Sequence, residues 1–205
     1  FCTVKRHYNF GMSETEISTP TEFSLSGQLL IAMPNMLDPS FAGSVVYLCE
    51  HSGKGAMGLL INRPTDLAIE SLLEKINVEV EGYMPAHFPV MMGGPVASER
   101  GFVLHTEPLN WNSSLKVNDE ISLTTSRDIL EAVARGEAPG KWLITLGYAG
   151  WGEGQLEEEL AQNAWLTVPA NHEILFDTPL EERFASAYAM LGIDPALMSG
   201  AAGHA

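Results

Sequence analysis

The chain has 205 residues, 45% of them apolar and 18% charged, which suits one globular domain and excludes collagen, coiled coil and wholesale disorder. A chain of this length builds a core without a disulfide or metal staple. Its 11 lysines and arginines face 26 aspartates and glutamates, and the resulting formal charge of −15 disfavours duplex nucleic acid and anionic membrane as direct partners.

The negative charge gathers late in the chain. From Trp142 onward there are nine acids and one base, Arg183. Such a surface favours solubility, and the macromolecule it would attract is a basic peptide or protein. The cysteines, Cys2 and Cys49, form no CxxC or Cys/His spacing, so neither a disulfide framework nor a metal site is expected. Cys49 reads as a small buried hydrophobe, and the thiol usage fits a reducing cytoplasm. No apolar run approaches the roughly 20 residues of a membrane helix. The opening "FCTVKRHYNFGM" lacks the apolar centre of a secretory signal, and Met12 stands as a candidate native start.

Residues 1–24 are polar and aperiodic and are expected to form a disordered leader to a single domain over 25–205. Gln28–Met33 reads as a buried strand closed by Pro34. "GSVVYLCEH" and "AMGLLIN" predict a hairpin joined by the four-residue loop "SGKG". A helix is expected from Thr65 as N-cap, carrying Leu67, Ile69, Leu72, Leu73 and Ile76 on its apolar side. "HFPVMMGGP" and "GFVLHT" predict strands, with "VASERG" a polar turn between them, and "NDEISLTT" predicts another strand. Ser126 caps a helix that Gly136 stops. "KWLITLGYAG" is the most central strand, followed by a glycine-rich turn and a helix from about Gln155 to Asn163. "WLTVPA" and "HEILFD" predict strands. Thr178, Pro179 and Glu181 then spell a capping box for a last helix ended by Gly192. Strands outnumber helices without regular alternation, which argues for α+β over a doubly wound nucleotide fold.

The strand–turn–helix "LGYAGWGEGQLEEEL" has the outline of a phosphate cradle. Gly150 and Gly152 match the start of G-x-G-x-x-G, but Gln155 replaces the third glycine. Gly53-Lys54 fails the Walker pattern twice, with Leu48 in place of the first glycine and Gly55 in place of Ser/Thr. Glu153, Glu157, Glu158 and Glu159 would repel a phosphate, by roughly 1 kcal/mol per close pair in water and more near a protein surface. Two readings stay open for the turn: a structural corner, or a recognition surface built on Trp151, Gln155 and Glu157. His51, Asn62, Arg63 and His105 stand at strand ends, where a histidine near an amide and a guanidinium could do acid–base work, or could simply be satisfied structurally. Gly93 and Gly94 read as a turn or bulge, or as backbone open to a ligand. No nucleophile elbow, zinc-protease or kinase motif occurs, and no cofactor or metal is implied.

The segments "LLIAMPNMLDPSFAGSVVYLCEHSGKGAMGLLINRP", "GGPV", "GFVLH", "GYAGWGEGQLEEEL", "NAWL" and "LFDTP" together resemble the YqgE/AlgH family, over nearly the whole chain. The resemblance implies a bacterial, cytosolic α+β protein with a largely antiparallel, bifurcated β-sheet folded into a pseudo-barrel. The family is largely of unknown function. Its recurrent polar and glycine positions fall on Asp38, His51, Asn62, Arg63, Gly93, Gly94, Pro95, His105, Trp151, Gln155 and Glu157. One family name derives from regulation of alginate production, which implies a transcriptional role that the charge makes indirect at most. The expected function is a non-catalytic regulatory or binding module. An enzyme or small-molecule binder using a His/Asn/Arg pocket is the alternative.

Overall fold

The structure, a computed structural model, describes residues 24–82, 89–107, 111–138 and 140–192. All but the last residue of the expected leader lies outside this set. The ten strands of the described residues are β1 (Gln28–Ala32), β2 (Val45–Ser52), β3 (Gly55–Leu60), β4 (Pro64–Ala68), β5 (Pro89–Met92), β6 (Val96–Thr106), β7 (Ser114–Lys116), β8 (Ile121–Thr124), β9 (Trp142–Trp151) and β10 (Trp165–Pro169). The helices are α1 (Ile69–Lys75), α2 (Arg127–Ala134), α3 (Gln155–Ala161) and α4 (Arg183–Met190). The protein is α+β, and its mainly antiparallel sheet curls into a half-barrel in the order β10-β1-β2-β3-β9-β6-β8-β7.

The sheet forks along β9. The C-terminal part of β9 pairs with β3, from Gly58↔Ala149 to Ala56↔Trp151. Its N-terminal part instead takes β5 as a parallel neighbour at Thr145 and Leu146, and β5 carries β4 on its far side. Gly93 occupies the divide: its N–H donates to Leu146 and its carbonyl accepts from Leu60, both at 2.8 Å. Gly147 has φ +73°, and a Cβ there would come within 2.5 Å of the Gly94 carbonyl oxygen. A side chain at any of these glycines would force the two arms of the fork apart.

Alternation along the strands sorts the apolar residues into separate layers. Leu29, Ile31, Val45 and Tyr47 face one core with Leu104, Leu143 and α4. Leu30, Ala32, Val46 and Leu48 face another with Phe41, Trp151, Leu156 and Trp165. A third cluster lies under α1 and α2, where Ile69, Leu73, Ile129 and Val133 meet Val90, Val103 and Ile144.

Several local expectations are corrected. Only Gly53 and Lys54 separate the paired Ser52 and Gly55, so the hairpin turn is tighter than four residues. Thr65 does not cap a helix; its hydroxyl donates to the Val90 carbonyl at 2.7 Å, and β4 precedes α1. "VASERG" belongs to β6, which absorbs it through a register shift between Val96 and Gly101. "HEILFD" coils into a π-helical turn, Glu173–Asp177, because the Asn171 side chain accepts the Ile174 N–H at 2.9 Å and competes with extended pairing. The Thr178 hydroxyl closes that turn on the Glu173 carbonyl at 3.0 Å, so the expected capping box is not formed and α4 starts at Arg183. Arg183 is itself buried, donating to the carbonyls of Thr178 at 3.0 Å and Ile61 at 2.5 Å. Burial pushes its guanidinium pKa down to about 10. Among the described residues no helix is long and apolar enough to cross a membrane.

Candidate functional site

The glycine-rich turn begins where β9 ends. Gly152, Glu153 and Gly154 carry the chain into α3, with Gly154 at φ +71°. The Gln155 side chain fastens the corner, its Oε1 accepting the Gly152 N–H at 3.1 Å and its Nε2 donating to Glu159 at 2.9 Å. The other Glu159 oxygen accepts two indole N–H groups, from Trp151 at 3.0 Å and Trp165 at 2.8 Å. The two indoles meet edge to face at 6.0 Å, and Phe41 completes the cluster. Trp151 is only 3% exposed, so of the two readings open for the turn its ring fits the structural corner and not an exposed recognition surface. Burial of both indoles becomes affordable because one carboxylate satisfies both donors.

His51 fastens the other side of α3. The Leu25 backbone N–H donates to its Nδ1 at 3.1 Å. The proton therefore sits on Nε2, which donates to Glu157 Oε1 at 2.8 Å. The Glu157 carboxyl is held below its ordinary range by its own backbone N–H at the helix start and by the His51 N–H. This bond ties the β2–β3 hairpin, the entry to β1 and α3 into one unit.

The remaining candidates lie elsewhere. Asn62 accepts the Val45 N–H at 2.9 Å and donates to the Gly43 carbonyl at 2.9 Å. Arg63 donates to the carbonyls of Pro39 at 3.0 Å and Ala42 at 2.6 Å. His51 and Val45 are six residues apart on β2, about 20 Å, so His51 and Asn62 occupy opposite ends of the hairpin. His105 pairs with Trp142, at the far end of β9 from Trp151, about 30 Å away along the strand. It is fully buried. Its Nδ1–H donates to the Thr106 carbonyl at 3.0 Å, and its Nε2 accepts from Thr124 at 2.9 Å. Burial lowers its pKa from the ordinary histidine value. The four residues of the His/Asn/Arg hypothesis therefore share no pocket. Gly93 and Gly94 offer no ligand-accessible backbone either, because both are buried and a Cβ at either would lie 2.2 Å or less from the β9 backbone. The Cys49 thiol is buried and its pKa raised by desolvation, consistent with a packing role.

What the structure does form is a groove of about 780 Å³ between the loop after β1 and α3. Asn35, Met36, Leu37, Asp38 and Pro39 make one wall. Gln155, Glu158, Glu159, Gln162, Asn163 and Ala164 make the other. Among the described residues, three carboxylates and four amides line it with no lysine, arginine or histidine. Leu37 stands 94% exposed on the rim. Gln155 lines this groove, together with Asp38, another of the family's recurrent polar positions. The others that bear on it act from behind: Arg63 grips Pro39, Asn62 pins the same loop, Trp151 anchors Glu159, and the His51–Glu157 bond orients α3. Leu37 and Glu159 were missed. An isolated leucine between prolines in "MPNMLDPS" was the available signal for Leu37.

A curled, forked sheet closed at one end by a short acidic helix defines an α+β half-barrel. A family model described as AlgH-like (DUF179) matches residues 29–196. UPF0301 proteins of Burkholderia vietnamiensis and Burkholderia multivorans are each 55% identical over 192 residues, covering 92% of this chain and 100% of theirs. The solution structure of the AlgH protein from Pseudomonas aeruginosa is 49% identical, with a TM-score of 0.73 over 93% of this chain and 100% of that one. A crystal structure of protein DIP2367 from Corynebacterium diphtheriae shares the fold at 18% identity, with a TM-score of 0.68 over 90% of this chain and 94% of that one. The chain belongs to the YqgE/AlgH family.

Proposed function

We propose that this protein is a cytosolic, non-catalytic regulatory module that binds a basic segment of a partner protein in the groove between residues 35–39 and α3. The observation that carries this reading is the groove's composition among the described residues: three carboxylates, no cationic side chain, and an aliphatic rim with Leu37 exposed. A leucine left in water beside carboxylates suits a partner that is both apolar and cationic. The acid–base candidates support the same reading, because His51, Asn62, Arg63 and His105 spend their polar groups on the protein's own backbone or on neighbouring side chains. Any influence on transcription would then run through the bound protein and not through DNA, which the charge of −15 repels.

Isothermal titration with two peptides tests the proposal, one alternating leucine with lysine and arginine, the other alternating leucine with aspartate. The cationic peptide is expected to bind and the acidic one not. A Leu37→Ser, Glu158→Lys variant should lose the binding while keeping its thermal midpoint. Equal binding by the variant, or no binding to the wild-type chain, would remove the reading.

A further inference from the structure

Where the β2–β3 hairpin meets α3, one buried histidine holds two parts of the chain by two different bonds. His51 is 8% exposed. Its Nδ1 accepts the Leu25 N–H at 3.1 Å, and its Nε2–H donates to Glu157 Oε1 at 2.8 Å. The Ser24 hydroxyl donates to the His51 carbonyl at 3.0 Å. Among the described residues, every hydrogen bond from residues 24–26 to a residue beyond Gln28 ends on His51. The next anchor is Gly27, whose N–H donates to the Leu48 carbonyl at 2.8 Å and whose carbonyl accepts from Ala170 at 3.2 Å. The stretch before Gly27 is therefore clasped at a single, titratable residue.

The bond at Nδ1 exists only while that nitrogen keeps its lone pair. An imidazolium carries N–H groups at both nitrogens, so the Leu25 N–H would face a second donor in a buried place, where an unsatisfied donor is costly. The bond at Nε2 responds in the opposite sense, because a carboxylate holds a charged ring more strongly than a neutral one. We propose that His51 is a proton-operated clasp: neutral, it holds residues 24–26 to the hairpin, and protonated, it keeps α3 and releases that stretch. Glu157 is the charged group that meets the ring from α3. On the hairpin itself, Glu50 and Lys54 interact with each other. Ala56, which pairs with His51 on β3, carries no charge, and residues 24–26 bring only hydroxyl and apolar side chains. Glu157 has a lowered pKa, so it stays ionised while the ring takes up its proton. Leu25 belongs to the apolar layer of Phe41, Trp151 and Leu156, so its release uncovers one margin of that layer and leaves α3 in place.

Nuclear magnetic resonance on the whole chain tests the clasp. The ring nitrogen resonances report the tautomer and protonation of His51, and amide hydrogen exchange, corrected for its intrinsic pH dependence, reports protection at Leu25 and Gly27. At pH 7.5 the Nε2–H tautomer and a protected Leu25 are expected. Between pH 7.5 and 5.5 the Leu25 protection should fall at least tenfold in step with ring protonation, while Gly27 keeps its own. His51→Asn retains an acceptor near the Nδ1 position and cannot titrate, so Leu25 should stay protected at both pH values. His51→Gln retains a donor toward Glu157 without the acceptor, so Leu25 should be unprotected at both. Glu157→Gln removes the charge that favours the imidazolium and should move the release to lower pH. A ring that titrates while Leu25 protection stays constant would overturn the proposal, as would a ring that stays neutral down to pH 5.5. A wild-type pH profile in His51→Asn would assign the release to another group and overturn it equally.

Discussion

Two regions of the molecule meet within one short stretch of chain, and they use glycine for opposite ends. At Gly147, where β9 forks, the missing side chain lets backbones touch, and the space is filled by Gly94 and Val96. At Gly152 and Gly154, where β9 gives way to α3, a Cβ would meet only the Gln155 side-chain oxygen at 3.9 Å in the first case and nothing within 4 Å in the second. The first region is closed and the second is open. What distinguishes them is what comes next in the chain: after Gly147 a strand must still pair on both sides, whereas after Gly154 a helix turns away and leaves a wall facing water. A glycine-rich motif therefore does not mark a ligand site. The neighbouring element's need for backbone contact decides.

The strongest test of the closed region is to place one methyl group at the fork and another elsewhere in the sheet, where there is room for it. At Gly94, with φ +155°, a Cβ would lie 2.1 Å from the Tyr148 carbonyl carbon. Gly94→Ala should destabilise the protein by about 3 kcal/mol or more, because backbone on both sides must shift. At Gly101, inside the register shift of β6, a Cβ would meet nothing within 4 Å. Gly101→Ala should stay within about 0.5 kcal/mol of wild type. Urea unfolding separates the two, and equal midpoints would show that the fork is not close-packed.

A smaller but still large effect is expected at the open region's hidden support. Glu159→Leu would leave the Trp151 and Trp165 indole N–H groups buried without that acceptor, costing about 2–4 kcal/mol. Glu158→Gln, one residue away and exposed, should change stability by no more than about 0.5 kcal/mol. Tryptophan fluorescence during urea unfolding reads both, since two of the reporters sit on the carboxylate. If the neighbours proved equally sensitive, Glu159 would not be the keystone of that face.

Acidification sharpens the comparison in a different way, because the two regions titrate with different groups. At the far end of β9, burial lowers the His105 pKa, so the unfolded chain binds a proton more readily than the folded one. Stability from His105 is complete above its ordinary value of 6.5 and declines as the pH falls below that toward the folded value. Near the groove, the Glu157 carboxyl has a lowered pKa, and its contribution is present above 4.5 and lost as the pH falls through the folded value. Chemical denaturation from pH 7.5 down to 3 should therefore show an upper decline that His105→Asn flattens and a lower one that Glu157→Gln flattens. A His105 variant with the wild-type slope above pH 5 would contradict the first assignment.

Much of the architecture was legible because its signals are local. The continuous apolar run after Gln28 in β1 and the long apolar run through β9 predict their strands, and Gly192 ends the last helix where expected. The misread segments are those in which a side chain was recruited by something distant in sequence. Thr65 reads as a helix cap until Val90 is known to be opposite it. Thr178 reads as a cap until the π-helical turn claims its hydroxyl. The site was less legible for the same reason. Arg63 and Asn62 stand out as polar residues ending a strand, but their partners are carbonyls about 20 residues earlier, so their role as loop braces is invisible without the fold. Trp151 looks exposed beside glycines and glutamates until Trp165 and Phe41 are brought around it.

The smallest effect on stability belongs to the residue on which the open region most depends for binding. Leu37 is 94% exposed, so replacing it removes almost no buried apolar area. Leu37→Ser should shift the unfolding free energy by less than about 0.5 kcal/mol. The same change should weaken a leucine- and arginine-bearing peptide, because the rim would no longer cover the peptide's aliphatic side chains. Calorimetry of folding and of binding on one preparation tests both halves together. A marked loss of stability would mean that Leu37 packs against the protein itself. Unchanged stability with unchanged affinity would mean that the groove holds its ligand by charge alone. The expected dissociation, binding lost with folding intact, belongs only to a side chain that the chain keeps in water for a partner to cover.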